Sequence, residues 1–336
     1  MKIIIPMAGR GSRLRPHTLT IPKPLLPVGG KPIVHRLVED IAEVCSETID
    51  EIAFIIGDFG NEVEEELKNV AAKLGAKGSI HYQLNPLGTA HAVLCAESAL
   101  EGPVVVAFAD TLFRADFKLD PSADGILWVN KIEDPSSFGV VKLDSDGKII
   151  DFIEKPKEFV SDLAMIGIYY FKHGERLKQE LNYLIDNNIM KGGEFQFPDA
   201  LRRLTEAGYK LKPGTVSEWL DCGNKDVTVH TNQRVLEFDW EKNKNLVSHD
   251  LKTSNSVIIP PCFIGDGVVI ENSIIGPHVS LGKGTTVINS NIRNTIIQNN
   301  SQLNSVNLSD SMIGSFAKVN GKNNDLNLGD YSIIQL

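Results

Sequence analysis

The stretch that decides the fold is residues 1–24, MKIIIPMAGRGSRLRPHTLTIPKP. It begins with three isoleucines, residues 3–5, and such an apolar run predicts a buried strand. Gly9 and Gly11 follow the strand, and Arg13 comes soon after them. Glycines let a ligand approach the backbone N–H groups, and an arginine beside them favours an anion. The stretch therefore predicts a phosphate-binding loop at the end of a strand.

The two standard phosphate motifs do not match this loop. Gly9 and Gly11 lack the third glycine of GxGxxG, and no Lys-Ser/Thr pair ends the loop as in a P-loop. A dinucleotide site of the Rossmann type and a Walker site are therefore both excluded. The loop instead offers the N–H groups of two glycines, the hydroxyl of Ser12 and the guanidinium of Arg13, which together suit a triphosphate.

The end of the stretch places one lysine between two prolines. Pro22 and Pro24 flank Lys23, and the fixed φ angles of proline stiffen the loop. We therefore expect the ammonium group of Lys23 to be held in one place. The combination G-x-G-S-R-x-x-P with P-K-P-L-L-P is far more specific than a glycine loop alone.

Bulk properties limit the function. The net charge of −9 argues against a nucleic-acid partner, because binding to a phosphate backbone requires a positive surface. The sequence contains no apolar run long enough for a transmembrane helix and no signal peptide, so we expect no membrane partner and a cytoplasmic location. A length of 336 residues favours two domains.

The pattern of apolar residues changes along the chain. Up to about residue 240, apolar runs alternate with helical periodicity, which predicts an α/β domain over residues 1–240. Residues 241–253 are polar and read as a linker. From residue 254 to 336, apolar residues recur about every six positions, which predicts a short left-handed parallel β-helix. Glycines disappear over residues 291–311, so we expect an irregular repeat there.

The C-terminal coil allows two interpretations. Hexapeptide coils are often acyltransferases, and the alternative is a structural platform for assembly. We favour the platform, because the coil is shorter than 100 residues. An exposed coil face also favours a homo-oligomer.

The first 240 residues strongly resemble the sugar-phosphate nucleotidyltransferases, which are also called nucleotide-sugar pyrophosphorylases. The resemblance rests on the stretch described above and on motifs that follow it in the expected order: QLNPLGTAHAV (83–93), VVVAFADTLF (104–113), SSFGVV (136–141), FIEKP (152–156) and EWLDCGN (218–224). It implies a Rossmann-like, GT-A-like mixed sheet. It also implies an enzyme that joins a nucleoside triphosphate to a sugar 1-phosphate, releases pyrophosphate and uses Mg²⁺.

The resemblance also assigns the site residues. Arg13 and Lys23 are expected to be catalytic. The nucleotide is expected to contact Ala8, Gly9, Gly11, Ser12, Gln83, Gly88 and Thr89. The sugar phosphate is expected to contact Gly139, Glu154, Lys155, Gly167 and Glu194. Asp110 and Asp221 are expected to hold the metal, and two carboxylates suit Mg²⁺.

The sequence departs from the family pattern at two positions. Ala109 stands where the family often has glycine before the metal-binding aspartate. Lys191 precedes the Gly-Glu pair where many thymidylyl-type members have arginine, and this second departure leaves the sugar and the subfamily open. We expect dTTP or UTP as the donor and glucose 1-phosphate as the acceptor. The alternatives are a bifunctional uridylyltransferase/acetyltransferase, a mannose-1-phosphate guanylyltransferase and a catalytically silent regulatory homologue.

Overall fold

A computed structural model describes residues 1–9, 11–45, 47–115 and 119–321 of the chain. The chain divides into two compact units. The first comprises Met1–Leu26 and Lys31–Gly223, and the second comprises Pro27–Gly30 and the chain from Asn224 onward.

The first unit is a mixed α/β fold. The strands up to residue 223 are β1 (Lys2–Pro6), β2 (Pro27–Val28), β3 (Lys31–Pro32), β4 (Glu51–Ile56), β5 (Lys77–Tyr82), β6 (Val104–Ala107), β7 (Thr111–Arg114), β8 (Gly125–Lys131), β9 (Gly139–Leu143), β10 (Ile149–Glu154), β11 (Leu163–Phe171), β12 (Leu211–Thr215) and β13 (Glu218–Asp221). Its α-helices are α1 (Ile33–Val44), α2 (Asn61–Lys73), α3 (Thr89–Leu94), α4 (Gly174–Asp186) and α5 (Phe197–Glu206), and α6 (Lys225–Glu241) follows in the second unit. Among the helices in the described ranges, none is both long and apolar enough to cross a membrane.

A nine-stranded sheet forms the centre of this unit, with the main order β10-β9-β11-β6-β1-β4-β5. Strands β6, β1, β4 and β5 run parallel, whereas β11 pairs antiparallel with β6, β8 and β9. Strand β12 joins β8 in parallel. Strand β1 has a neighbour on each side, which explains why its isoleucines are fully buried. The predicted mixed-sheet α/β fold is confirmed.

Helix α6 is grouped with the coil. The first unit ends at Gly223, and α6 belongs to the second unit. The reason is packing: side chains of α6 bond to the coil, as Asn232 does with Ser280. Sequence periodicity identifies an amphipathic helix but does not identify the surface on which it packs.

The second unit contains the predicted coil of stacked parallel strands, the left-handed parallel β-helix. Its strands are β14 (Lys252–Ser254), β15 (Val257–Ile258), β16 (Cys262–Ile264), β17 (Val269–Glu271), β18 (Ile274–Ile275), β19 (Val279–Leu281), β20 (Thr286–Ile288), β21 (Asn291–Ile292), β22 (Thr295–Ile297), β23 (Gln302–Asn304), β24 (Asn307–Leu308), β25 (Ser311–Ile313) and β26 (Lys318–Asn320). They form three parallel sheets, β14-β17-β20-β23-β26, β15-β18-β21-β24 and β16-β19-β22-β25.

The segment before β14 contributes to the coil. Val247 bridges to Ile264, and both Val247 and Leu251 pack against the apolar interior of the coil. Strand β14 then begins at Lys252.

The repeat also stays regular where irregularity was expected. Over residues 291–311, strands β21 to β25 continue the same three sheets. The corners need a left-handed backbone, and non-glycine residues provide it there: Asn294, Asn300, Ser305 and Asp310, with φ of 41°, 56°, 57° and 50°. Asparagine tolerates this conformation because its short polar side chain bonds locally. The loss of glycine therefore does not interrupt the coil.

One corner supports a prediction about stability. Asn272 has φ of 49°, accepts a hydrogen bond from Asn255 Nδ2 at 2.9 Å and donates to Asn289 Oδ1 at 3.2 Å. We expect Asn272→Ala to lower the free energy of unfolding by about 1–2 kcal/mol, because alanine is strained in this conformation. Asn272→Gly, which adopts it without strain, is the control and should cost less. Chemical denaturation measures both, and an equal loss for the two variants would contradict the role of the φ angle.

Candidate active site

A cavity of about 370 Å³ lies in the first unit, around the loop that follows β1. All of the predicted nucleotide and catalytic residues line it: Ala8, Gly9, Gly11, Ser12, Arg13, Lys23, Gln83, Gly88 and Thr89, together with Asp110 from the predicted metal pair and Glu194 from the predicted sugar group. Five predicted residues are not among its lining residues: Gly139, Glu154, Lys155, Gly167 and Asp221. The structure therefore brings together side chains from four distant motifs.

Gly11 is required by the local backbone. Its φ is 59°, and a Cβ atom there would lie 2.8 Å from Cβ of Lys23 and 3.1 Å from Cγ2 of Thr18. Thr18 also donates its hydroxyl to the Gly11 carbonyl at 2.8 Å. The glycine thus lets the short 3₁₀ turn Ser12–Leu14 pack directly against the stem of Lys23.

Lys23 meets one of the two predicted metal ligands. Its Nζ lies 2.8 Å from Oδ2 of Asp110, and Lys23 is only 8% exposed. Strand β6 ends at Ala107, and Asp110 stands in the turn before β7. A residue in a turn is less restricted by sheet pairing than one in a strand, which leaves its carboxylate available to the cavity.

Asp221 lies close to Asp110 because of a short antiparallel ladder. Strand β13 pairs with β7 so that Asp221 stands opposite Thr111, and the Cys222 N–H donates to the Asp110 carbonyl at 3.0 Å. Burial raises the pKa of Asp221 above its ordinary value, and the negative charge of Asp110 raises it further. The ammonium of Lys23 opposes this rise. Two carboxylates and one lysine therefore share a single charged centre.

This donor set suits a hard divalent cation. No group of three or more His, Cys, Asp or Glu side chains with metal-binding geometry occurs within the described residues. Magnesium is usually held by one or two carboxylates and takes its other ligands from water and substrate phosphates. Asp110 adds to the rise in the pKa of Asp221 that burial causes, and a bound divalent cation would offset the repulsion between the two carboxylates.

Internal hydrogen bonds hold the loop that carries three predicted nucleotide contacts, Gln83, Gly88 and Thr89. Gln83 donates from Nε2 to the Gly88 carbonyl at 3.0 Å, and the same atom lies 3.1 Å from Nδ1 of His91. Gly88 has φ of 109°, and a Cβ atom there would lie 2.5 Å from the Phe195 carbonyl oxygen. The Thr89 hydroxyl accepts from the Phe197 N–H at 2.9 Å. The loop is therefore held before any ligand arrives.

The predicted sugar-phosphate residues form a second group on neighbouring strands. Gly139 of β9 stands opposite Glu154 of β10, and a Cβ atom on Gly139 would lie 2.3 Å from Cε of Met165 and 2.8 Å from Oε2 of Glu154. Burial raises the pKa of Glu154, although Lys155, whose Nζ lies 3.9 Å from it, opposes the rise. Gly167 interrupts β11 with φ of 83° and approaches Phe108, which lines the cavity.

Sequence reasoning missed a network of charges around the buried Asp199. Lys191 donates from Nζ to Oδ1 of Asp199 at 2.5 Å, and Arg202 donates to the same oxygen at 2.7 Å. Asp199 is buried, and its charge contributes to the raised pKa of Glu154. Its position in FPDALRRL offered a signal, since a carboxylate three residues before an arginine in a helix predicts an ion pair. The contact between His91 and Gln83 was also missed, and no sequence pattern around His91 predicts it.

Comparison with known proteins shows what this chain resembles. A family model described as nucleotidyl transferase matches residues 2–237. A glucose-1-phosphate thymidylyltransferase from Streptomyces antibioticus is 30% identical over 365 aligned positions, covering 100% of this chain and 99% of that protein. The low-salt glycan biosynthesis nucleotidyltransferase Agl11 of Haloferax volcanii is 33% identical, covering 74% of this chain and 70% of that protein.

Other matches include proteins with different substrates in their names. The bifunctional protein GlmU of Methanococcus maripaludis is 29% identical, covering 77% of this chain but 60% of that protein. A mannose-1-phosphate guanylyltransferase catalytic subunit beta from Drosophila pseudoobscura pseudoobscura is 37% identical over 180 residues, 51% of this chain and 47% of that protein. Among solved structures, a UDP-glucose pyrophosphorylase complexed with UDP-glucose has the same fold, with a TM-score of 0.57 and 24% identity over 70% of this chain and 98% of that chain.

Proposed function

The chain belongs to the nucleotidyl transferase family, and from this premise we propose that it joins dTTP or UTP to glucose 1-phosphate, with release of pyrophosphate. The observation that carries the proposal is the cavity in which Gly9, Gly11, Arg13, Lys23 and Asp110 converge. The similarity to a glucose-1-phosphate thymidylyltransferase over nearly the whole of both chains supports the choice of substrates.

The reaction is an in-line displacement at the α-phosphorus. An oxygen of the sugar phosphate forms a bond to the α-phosphorus, and the bond from that phosphorus to the bridging α–β oxygen breaks, so that pyrophosphate leaves with the electron pair. A phosphate monoester has a second pKa near about 6, so the attacking oxygen is already ionised at neutral pH. The residues must therefore offset repulsion between anions rather than remove a proton.

Each cationic side chain has a defined role in this proposal. Arg13 binds the triphosphate and the departing pyrophosphate, Lys23 contacts the reacting phosphates, and Lys155 contacts the incoming sugar phosphate. Asp110 and Asp221 would hold Mg²⁺, which neutralises charge on the phosphate oxygens. Lys23 and Asp110 form an ion pair in the protein alone, so each partner keeps the other in position before the substrates bind.

The raised pKa of Asp221 leads to a pH prediction. Mg²⁺ requires the ionised carboxylate, so protons compete with the metal from a higher pH than the ordinary aspartate value of about 3.9. We expect the rise in Tm caused by Mg²⁺ to be largest at neutral pH and to shrink as the pH falls toward that value. Differential scanning fluorimetry with and without Mg²⁺ measures it. A Mg²⁺ effect that grows on acidification would contradict the assignment.

The alternatives are weaker on specific grounds. A silent regulatory homologue would be expected to lose the charged site, whereas Arg13, Lys23, Asp110, Lys155 and Asp221 are all present. The guanylyltransferase match covers only about half of this chain, and the match to the bifunctional protein covers 60% of that protein's length. Self-association through the coil remains a prediction.

A substrate panel tests the proposal. Pyrophosphate release should be measured with dTTP, UTP, CTP, GTP and ATP against glucose, mannose, galactose and N-acetylglucosamine 1-phosphates. We expect the fastest release with dTTP or UTP and glucose 1-phosphate. Preference for GTP with mannose 1-phosphate would replace the proposed substrates. Acetyl-CoA consumption with a glucosamine phosphate would instead support the bifunctional alternative.

A further inference from the structure

A four-residue segment close behind Lys23 belongs to the second compact unit. Pro27–Gly30 follows Lys23 by only four residues, yet it is grouped with α6 and the coil. Strand β2, which lies within this segment, packs against α6. The chain that carries a proposed catalytic lysine is therefore attached to the second unit immediately afterwards.

Asn232 of α6 holds this segment by its backbone. Its Oδ1 accepts a hydrogen bond from the Gly29 N–H at 2.8 Å and another from the Ser280 hydroxyl at 2.7 Å. Its Nδ2 lies 3.4 Å from the His278 carbonyl oxygen, to which it donates. Asn232 is 0% exposed, and buried polar groups bonded in this way are costly to disrupt. The side chain of Asn232 thus connects the segment Pro27–Gly30, helix α6 and the coil.

A second contact holds the next residue. Gly30 has φ of 78°, and a Cβ atom there would lie 2.2 Å from Cζ of Phe263. The ring of Phe263 therefore lies directly on the Gly30 backbone, where no side chain fits. Gly29 and Gly30 are consequently fixed by two different parts of the second unit.

The chain between Lys23 and Pro27 is short and stiff. The Leu25 N–H donates to the Pro22 carbonyl at 2.9 Å, and the Leu26 N–H donates to the Lys23 carbonyl at 3.1 Å. Even fully extended, four residues span at most about 14 Å. A displacement of Gly29 is therefore transmitted to the backbone of Lys23 with little slack.

We propose that Asn232 is a positioning residue for the reaction: by fixing the Gly29 backbone, it fixes the loop that presents Lys23 to Asp110. The inference rests on the role of Lys23 in the proposed function.

The test compares Asn232→Ala with a matched control in the same helix. Thr228 is equally buried, and its hydroxyl donates to the Asn224 carbonyl of the same helix at 2.6 Å, so Thr228→Val is the control. We expect both variants to lower Tm. Only Asn232→Ala should lower kcat, by about ten- to a hundredfold, because small misplacements of catalytic groups are that costly. A kcat within twofold of the wild type for Asn232→Ala would overturn the proposal.

A double variant tests whether the effect passes through Lys23. In a Lys23→Ala background, Asn232→Ala should cause little further loss of kcat, since the group that it positions is already absent. Fully additive losses would overturn the proposal. If Asn232→Ala does not fold, Phe263→Ala removes the other contact on the segment and takes its place in both comparisons.

Hydrogen exchange separates this inference from the proposed function. Amides of residues 23–30 should exchange faster in Asn232→Ala than in Thr228→Val, whether or not the protein turns over any substrate pair. Unchanged exchange there would overturn the inference by itself. If the wild type releases no pyrophosphate but these amides exchange faster in Asn232→Ala, the proposed function is rejected. The inference that Asn232 fixes the backbone of the segment then still stands.

Discussion

Arg13→Ala is expected to lower kcat for pyrophosphate release by on the order of 10²–10³, the usual cost of removing a preorganised charge-stabilising group. Arg13 lines the cavity. Its positive charge lowers the pKa of Asp221 and so opposes the rise that burial and Asp110 cause. Because Arg13 is exposed, we expect its loss to change the free energy of unfolding by less than about 0.5 kcal/mol. Steady-state kinetics and denaturation on the same protein samples separate the two effects.

Arg15→Ala is the matched control for this variant. Arg15 lies two residues along the same loop and is exposed, but it is not among the residues that line the cavity. Its removal takes the same charge from the same region, so kcat should stay within about threefold of the wild type. Equal losses in both variants would mean that a general positive field, rather than a placed guanidinium, drives the reaction.

Asp221→Asn is expected to separate activity from stability. The amide keeps the shape of the side chain but removes the charge that Mg²⁺ requires, so kcat/KM should fall by on the order of 10²–10³. The Mg²⁺ concentration for half-maximal rate should also rise. The raised pKa of Asp221 shows that its charged form is disfavoured in the folded protein, so the variant should have an unchanged or higher Tm at neutral pH.

An exposed aspartate provides the comparison for Asp221→Asn. Asp146 lies in the turn between β9 and β10 and is exposed, so Asp146→Asn should leave both kcat/KM and the Mg²⁺ dependence unchanged. If Asp221→Asn loses Tm and activity together, then Asp221 is a structural residue and the metal assignment is wrong.

The sequence predicted the features that depend on local patterns. The apolar run of β1, the glycines behind it and the six-residue period of the coil each report burial or backbone geometry over a few residues. Resemblance to the sugar-phosphate nucleotidyltransferases then added distant residues such as Asp110, which the cavity does bring to the glycine loop.

Pairings between distant residues could not be predicted in this way. The bond from Gly29 to Asn232 joins residues 203 positions apart, and that from Lys23 to Asp110 joins residues 87 positions apart. Periodicity shows that a helix has a buried face but does not show which element covers that face, so the packing of α6 on the coil could not be predicted. Asparagine corners escaped notice because the pattern was sought through glycine alone, although both residues adopt the left-handed conformation.

Following the α-phosphorus of the donor tests whether the cavity transfers a nucleotidyl group. The protein should be incubated with Mg²⁺, glucose 1-phosphate and dTTP or UTP labelled at the α-phosphorus, and the products separated. We expect the label in the nucleotide sugar, with one unlabelled pyrophosphate for each molecule formed. Label recovered as nucleoside monophosphate, or left entirely in the triphosphate with both donors, would contradict it.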